Sequence, residues 1–303
     1  MAQQRRGCGC LLVVLSLAAV IAGGVYFKFY RPRGPRLPPA SGGELQVHVL
    51  DVGQGDAILI IAPGGKAALV DAGDEAHASV VRDALSRYQV QQLEYLIATH
   101  PHPDHIGGAA AVLNAVKTLN VLDSGIPPPD FAASTNAPAQ NTNGKSKTAS
   151  TKSQPKPRAG GAQLPTLKAY TALQAAIKQS GAQLAHIAPG ARYDLGGGVL
   201  LTALAPIPPP FTKDQMRGGG NEPNANSIVL RLDYGDFSLL LAGDAEAQTE
   251  QRLLNNNANV AAKLLKVAHH GSKYATTEEF VGRVKPEAAI ISLSEWTPCP
   301  GGD

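Results

Sequence analysis

The stretch His100-Pro-His102-Pro-Asp104-His105 places three imidazoles and one carboxylate within six consecutive residues. It follows the mostly apolar run 94–99, which is typical of a buried strand, and it precedes an alanine-rich helical pattern that opens at Gly107. The cluster is therefore predicted on a loop at the carboxyl end of a strand, where open α/β sheets place their chemistry. Imidazole and carboxylate are ligands that Zn²⁺ and Mn²⁺ accept, so the stretch predicts a metal site. The alternative is a surface loop that binds nothing.

Other apolar runs along the chain also end at polar residues. These strand-end residues are Asp51 and Asp56, Asp71, Gly243-Asp244, and His269-His270. Taken singly, each fits a helix cap or a turn. Taken together with the histidine cluster, they would supply several ligands to one cleft.

Strand-like and helix-like runs alternate from residue 44 onward. In the first half, strands are predicted at 45–50, 57–61, 67–70, 94–99, 118–122 and 183–187, with helices at 78–88, 107–117 and 166–179. In the second half, strands are predicted at 199–204, 227–232, 237–241, 263–268 and 288–293, with helices at 245–254 and 276–283. This order indicates two similar α/β halves whose sheets face each other between layers of helices.

Two polar segments interrupt the pattern. Residues 126–164 contain almost no large apolar side chain, so they cannot offset their chain entropy by burial and are predicted to be a disordered insertion. The insertion is basic, which fits either a tether for an anionic polymer or membrane, or merely a soluble loop. A second, Pro- and Gly-rich loop spans about 205–226.

The amino terminus has the pattern of a targeting segment. Arg5-Arg6 precede an apolar run from residue 11 to about 27, which is long enough for a marginal membrane span. We predict a membrane anchor over 1–27 and a Pro/Gly/Arg-rich linker over 28–43, with a cleaved signal peptide as the alternative. The globular domain at 44–303 is then expected outside the cytoplasm, either anchored or secreted.

Composition narrows the class of protein further. The chain has 303 residues and a net charge of +3, which is compatible with a polyanionic substrate. Only 5% of its residues are aromatic, so the composition does not indicate a surface on which nucleic-acid bases would stack. Its three cysteines lie near the two chain ends, so neither a disulfide framework nor a Cys-x-x-Cys zinc site is expected.

The histidine cluster, Asp71, Gly243-Asp244 and His269-His270 together resemble the metallo-β-lactamase superfamily. More narrowly, three stretches are similar to the lactamase-like domain of the competence protein ComEC: 51–57 (DVGQGDA), 224–230 (NANSIVL) and 269–273 (HHGSK). The resemblance covers about 44–294, apart from the two interruptions. It implies a four-layer αββα sandwich with a metal site at one edge.

The resemblance also implies two divalent ions per chain, Zn²⁺ or Mn²⁺. Their ligands would be His100 and His102 for the first ion, Asp104 and His105 for the second, and Asp244 for both ions or for the second. One of His269 and His270 would complete the second site, and we expect both near the metals.

Further residues are expected around these ligands. Asp71, and similarly Asp56, would orient a histidine ligand. Asn224 or Asn226 stands where many superfamily members have a histidine, and an amide oxygen suits a harder ion such as Mn²⁺ better than Zn²⁺. Ser272 and Lys273 would either contact a phosphate group or cap the helix that begins near residue 276.

The implied activity is metal-assisted hydrolysis, with Asp104 and Asp244 positioning the attacking water. The substrate implied by the ComEC resemblance is DNA, cleaved by a phosphodiesterase or nuclease linked to competence and DNA uptake. One alternative is a hydrolase of the same fold that acts on a small ester, thioester, phosphoester or lactam. The other is a non-catalytic, membrane-tethered module that binds polyanions. The expected partners are the DNA or other phosphodiester substrate and, through the N-terminal segment, the membrane; the sequence does not identify a protein partner.

Overall fold

The computed structural model describes residues 43–129, 131, 165–216 and 221–294. Within them the strands form two six-stranded mixed sheets, in which strands adjacent in sequence are also neighbours in the sheet. The first sheet contains β1 (Gln46–Val49), β2 (Ile58–Ile61), β3 (Ala67–Val70), β4 (Gln92–Ile97), β5 (Lys117–Asp123) and β6 (Gln183–His186). The second contains β7 (Arg192–Gly196), β8 (Val199–Ala205), β9 (Val229–Tyr234), β10 (Phe237–Leu241), β11 (Leu264–Lys266) and β12 (Ala288–Ile290).

Helices connect the parallel strands of both sheets. The described α-helices are α1 (Ala78–Arg87), α2 (Pro103–Ile106), α3 (Ala109–Ala115), α4 (Pro165–Ser180), α5 (Glu222–Ala225), α6 (Ala247–Asn255) and α7 (Glu278–Val284). Short 3-10 turns occur at Lys213–Gln215 and Ala268–Gly271. The strands β3 to β6 are mutually parallel, as are β10 to β12, so crossover connections are required in both halves.

Alternate residues of the central strands are buried in different layers. On β2, Ile58 and Ile60 belong to the apolar core between the two sheets, whereas Leu59 and Ile61 pack against the helices of the first half. A separate core joins the second sheet to α6 and α7, with Phe280 among its members. A strand covered on both faces needs a continuous apolar sequence, which is why β2 reads as an uninterrupted apolar run. The layers are therefore helices, sheet, sheet and helices, as expected.

Three local features differ from the sequence prediction. The segment 205–226, predicted as a loop, contains the 3-10 turn Lys213–Gln215 and the helix α5, whose first turn contains Pro223. Residues 103–106 form one helical turn where only a loop was expected, because Pro103 has the backbone angle of a first helical position and starts the turn directly after His102. Strand β7 was not predicted. It is an edge strand with a register shift between Asp194 and Gly196, and Leu195 is the one buried residue among its five.

Several predictions fall outside the described part of the chain. These are the anchor at 1–27, the linker apart from residue 43, and the insertion except for 126–129 and 131. Among the helices that the structure does describe, none combines the length and apolarity needed to cross a bilayer.

Candidate metal centre

The polar residues predicted at strand ends meet at one edge of the two sheets. Asp71 follows β3 directly, and the histidine cluster follows β4, its parallel neighbour. In the second sheet, Asp244 follows β10, and the turn with His269 and His270 follows the parallel strand β11. Since parallel neighbouring strands end at the same edge of a sheet, the polar residues of each sheet lie close together at that edge. The packing of the sheets against each other joins the two sets.

One cluster combines ligands from both sheets. His105 Nε2 lies 3.3 Å from His270 Nε2, and both nitrogens approach Asp244 Oδ1, at 3.2 Å and 3.5 Å. Asp104 Oδ2 lies 3.8 Å from His270 Nε2. His105, His270 and Asp244 are buried, while the Asp104 side chain is 32% exposed and reaches the solvent side of the cluster.

The second cluster lies on the other side of Asp244. His100 Nε2 is 3.0 Å from His102 Nδ1 and 3.6 Å from Asp244 Oδ2. Each oxygen of the Asp244 carboxylate therefore faces a different cluster. Asp244 also lies close enough to both to be shared, and its Oδ1 is buried without accepting a hydrogen bond.

Hydrogen bonds determine which nitrogen of each buried ring carries the proton. The hydroxyl of Thr99 donates its proton to Asp71 Oδ2 at 2.7 Å, so toward His100 Nδ1, 3.1 Å away, it can only accept. His105 Nδ1 donates to Asp71 Oδ2 at 2.8 Å, and His270 Nδ1 donates to the carbonyl oxygen of Ser292 at 3.1 Å. In the neutral rings, the Nε2 atoms of all three histidines thus present lone pairs to the space around Asp244.

This arrangement fits a divalent metal. Two neutral imidazole nitrogens that face each other at 3.3 Å, as in His105 and His270, repel unless a cation lies between or beside them. The buried carboxylate of Asp244 supplies the negative charge that such a cation requires. The residues that could hold metal are therefore His100, His102 and Asp244 in one group, and Asp104, His105 and His270 in the other.

The electrostatics of the centre are consistent with this. Burial, followed by the neighbouring His105, holds the pKa of His100 well below its usual range, so its ring stays neutral and available to a metal. Burial also disfavours charge on His105, but Asp244 and Asp71 outweigh it and raise the pKa of His105 well above its usual value. Although burial opposes ionisation of Asp244, the nearby His105 and His100 lower the pKa of its carboxyl group. A raised pKa favours the protonated ring of His105, so a metal that binds its Nε2 atom must displace a proton.

His269 and His270 occupy an unusual turn. Both residues have left-handed backbone angles, with φ values of 49° and 53°, which non-glycine residues seldom adopt. The turn directs His270 into the cluster with His105. The side chain of His269 is 25% exposed, and its Nε2 atom lies 3.1 Å from Asn224 Nδ2. The same Nε2 atom comes no nearer than 4.0 Å to Asp244 Oδ2. His270 is therefore the candidate ligand, and His269 lines the cleft beside the two clusters.

The two asparagines proposed from sequence have different roles. Asn224 is buried beside His269, and its Oδ1 atom has no hydrogen-bond partner. Asn226 points away from the clusters. Its Oδ1 atom accepts a hydrogen bond from the backbone N–H of Phe211, and its Nδ2 atom donates to the carbonyl oxygens of Phe211 and Glu222. The expectation for Asn226 is thus corrected: its side chain secures the second loop and is not free for metal or substrate.

The remaining predicted residues surround the clusters. Ser272 Oγ accepts a hydrogen bond from the backbone N–H of Tyr274, and Lys273 is exposed. Neither residue caps α7, whose first turn is capped by the side chain of Thr277. The expectation of a helix cap at Ser272 and Lys273 is therefore wrong, whereas phosphate contact stays a prediction.

Asp71 and Asp56 lie behind His105, and sequence reasoning missed two further residues of this group. Thr99 orients both Asp71 and His100, and Lys266 forms a buried ion pair with Asp56. A lysine at the end of an apolar strand was a signal that could have been noticed.

Replacing Asp71 with asparagine should weaken metal binding by about 10–100-fold, as is usual when a group that orients a ligand is lost. Asparagine cannot accept from Thr99 and from His105 Nδ1 as the carboxylate does, so the ring of His105 is no longer held with Nε2 free. Competition with a chromogenic chelator measures the affinity. The exposed Asp83 on α1 provides the matched control, Asp83→Asn. Equal affinity in the Asp71 and Asp83 variants would contradict the role given to Asp71.

Comparison with known proteins identifies the family of this chain. A family model described as "Metallo-beta-lactamase superfamily" matches residues 50–203, about half of the chain. ComE operon protein 3 of Bacillus subtilis is 28% identical over 274 residues, covering 85% of this chain and 29% of that protein. Recombination protein 2 of Haemophilus influenzae is 27% identical over 257 residues, covering 84% of this chain and 25% of that protein. The chain spans less than a third of the length of either relative.

Among solved structures, the metallo-beta-lactamase MIM-2 is 20% identical, with a TM-score of 0.43 and 77% of each chain covered. The family match includes the strands and turns that carry Asp71 and the cluster from His100 to His105. The chain belongs to the metallo-β-lactamase superfamily.

Proposed function

We propose that this protein is a metal-dependent phosphodiesterase that cleaves DNA in the manner implied by its ComEC-like sequence. The observation that carries the proposal is the position of Asp244 between the two His/Asp clusters. One of its oxygens lies 3.6 Å from His100 Nε2 and the other 3.2 Å from His105 Nε2. A carboxylate shared in this way suits a pair of divalent ions.

Such ions, when bound, lower the pKa of a water molecule and offset the charge that builds on a phosphoryl group during in-line attack. The protein's own residues prepare the site for this chemistry. Asp71 and Thr99 fix the protonation of His105 and His100, which leaves their Nε2 atoms free. Asp104 and His269 are partly exposed at the cleft, where they would contact the attacking water and the substrate.

The proposed substrate rests on the relatives and on charge. One relative is named for recombination and another for the ComE operon, and the ComEC-like stretches 51–57 and 269–273 lie around the centre. The net charge of +3 is compatible with a polyanionic substrate, and most of the surplus basic residues lie in the amino-terminal segment and the basic insertion. The proposal includes the predicted membrane anchor and a domain outside the cytoplasm.

Incubation of the purified chain with single-stranded and double-stranded DNA, in the presence of Mn²⁺ or Zn²⁺, tests the proposal. Bis(p-nitrophenyl) phosphate and a chromogenic β-lactam, assayed in parallel, represent the alternative substrates. We expect metal-dependent cleavage of DNA, abolished by EDTA and by His105→Ala, because His105 belongs to the buried cluster. His186→Ala is the matched control, since this exposed histidine belongs to neither cluster.

Hydrolysis of the small phosphodiester or the β-lactam without cleavage of DNA would favour a hydrolase with another substrate. Salt-sensitive DNA binding without hydrolysis of any substrate would favour the polyanion-binding module. Either result contradicts the proposed nuclease.

A further inference from the structure

We infer that Lys266 is a positioning residue for the metal centre, which it serves by joining the loop that carries Asp56 to the turn that carries His270. The inference rests on the metal site of the proposed function but not on its substrate. Lys266 is the last residue of β11 and is 1% exposed. Among the residues described by the structure, it is the one lysine or arginine that is fully buried.

The direction of the Lys266 side chain follows from the alternation along β11. Leu265 packs in the outer core with Phe280, whereas Leu264 packs against the core between the sheets. Because alternate residues share a face, Lys266 points the same way as Leu264, toward the first sheet. There its ammonium nitrogen lies 2.8 Å from Asp56 Oδ1. The ion pair thus connects the two halves of the sandwich.

The Asp56 end of this pair is built into the metal centre. The carboxylates of Asp56 and Asp71 and a ring nitrogen of His105 have ligand atoms within 4.8 Å of one another. Gly55 lies directly on the turn of Asp104, since a Cβ at Gly55 would come to 2.2 Å from the Asp104 carbonyl oxygen. Asp56 therefore sets a second carboxylate beside Asp71, and the charge of Lys266 offsets the repulsion between them.

The Lys266 end reaches the other side of the centre. The ammonium group donates a hydrogen bond to the carbonyl oxygen of Val267 at 3.0 Å, immediately before the Ala268–Gly271 turn. Lys266 thus contacts both Asp56, in the loop beside His105, and Val267, which directly precedes the turn that presents His270. The distance of 3.3 Å between these two imidazoles spans the two sheets, and Lys266 is placed to maintain it.

A purely structural ion pair is the competing explanation, and a double variant separates the two. Replacing a buried ion pair by uncharged residues of similar size often leaves the stability of a protein unchanged, whereas removing one partner does not. We therefore choose Lys266→Met together with Asp56→Asn in the full chain. Lys266→Met alone and Asp56→Asn alone are the companion variants, and an effect of the double variant that Asp56→Asn reproduces in full with Lys266 present would belong to Asp56 and overturn the inference. Lys263→Met, at an exposed lysine just before β11, is the matched control.

Titration with Co²⁺, followed by visible absorption, reports both metal affinity and ligand geometry without any substrate. Thermal unfolding of the metal-free chains reports stability. We expect the double variant to keep the unfolding temperature of the wild type, to bind Co²⁺ at least about tenfold more weakly and to show an altered spectrum. The Lys263 variant should match the wild type in all three.

Unchanged affinity and spectrum in the folded double variant would overturn the inference. A loss of affinity that comes with an equally lowered unfolding temperature would also overturn it, because Lys266 would then act through the fold alone. Failure of the wild type to cleave DNA, with Co²⁺ binding altered as expected, would count against the proposed substrate and leave this inference standing.

Discussion

Replacing Asp244 with asparagine is expected to lower kcat for phosphodiester cleavage by at least about 10²–10³-fold, the range seen when an essential electrostatic group is removed. Each oxygen of Asp244 faces one His/Asp cluster, and the carboxylate is 2% exposed. An amide would place an N–H group toward one of these clusters and would remove the negative charge shared by both. Because the loss affects both clusters, restoring full activity with excess metal is not expected.

Steady-state rates on bis(p-nitrophenyl) phosphate, with metal content measured for each preparation, test this expectation. Asp236→Asn is the matched control, since Asp236 is exposed in the hairpin turn between β9 and β10. If the Asp244 variant kept wild-type metal content and rate, the shared position of this carboxylate would have no chemical role. A fully loaded but inactive variant would instead limit Asp244 to catalysis.

Metal loading is expected to stabilise the folded chain by about 2.7 kcal/mol at a free metal concentration 100 times the Kd, and by about 4.1 kcal/mol at 1,000 times the Kd. The ligands lie on two sheets and come together only in the folded state, so the metal binds the native chain far better than the unfolded one. His105→Ala should remove most of this gain. Thermal unfolding with metal and with EDTA measures it, and His186→Ala is again the control. A gain retained in full by His105→Ala would place the stabilising metal elsewhere.

This stabilisation should depend on pH in a defined direction. Burial opposes protonation of His105, but the nearby carboxylates of Asp244 and Asp71 outweigh burial and raise the pKa of His105 in the folded chain. Because the pKa of His105 is higher in the folded chain than in the unfolded chain, protonation of His105 stabilises the metal-free fold. This stabilisation is complete at pH values below the pKa of the unfolded chain, and it is lost as the pH rises through the pKa of the folded chain. The metal must displace that proton, so the gain from metal should be smaller near pH 6 than near pH 8. Scans at the two pH values, with and without metal, test the sign, and a larger gain at the lower pH would contradict it.

Much of the fold could be predicted from the sequence because its strands show two clear burial patterns, an uninterrupted apolar run and an alternation of buried and half-buried residues. The continuous apolar run of β2 and the alternation along β8 reflect strands whose burial is set by neighbouring layers. Strand β7 was not predicted because, at the edge of the sheet, it buries only one of its five residues, Leu195, and so shows no clear apolar alternation. The helical turn at Pro103–Ile106 was missed because the metal-binding pattern of the same residues suggested a loop.

The candidate site was only partly predictable. The sequence could not distinguish His269 from His270, because two successive left-handed residues determine where each ring points. Nor could it distinguish Asn224 from Asn226, which depends on a contact with Phe211. The role of Lys266 was hidden because its partner, Asp56, lies in the other half of the chain.

The sequence by itself determined which ligand types the protein carries and that they end strands, since spacing and periodicity are local properties of a chain. The tertiary structure alone decided that Asp244 lies between two clusters and that the Nε2 atoms of His100, His105 and His270 turn toward it. Those relations depend on how two sheets pack through an apolar core, and on the hydrogen bonds that the three rings donate to Asp71, Thr99 and the Ser292 carbonyl, which only the packed chain brings within reach.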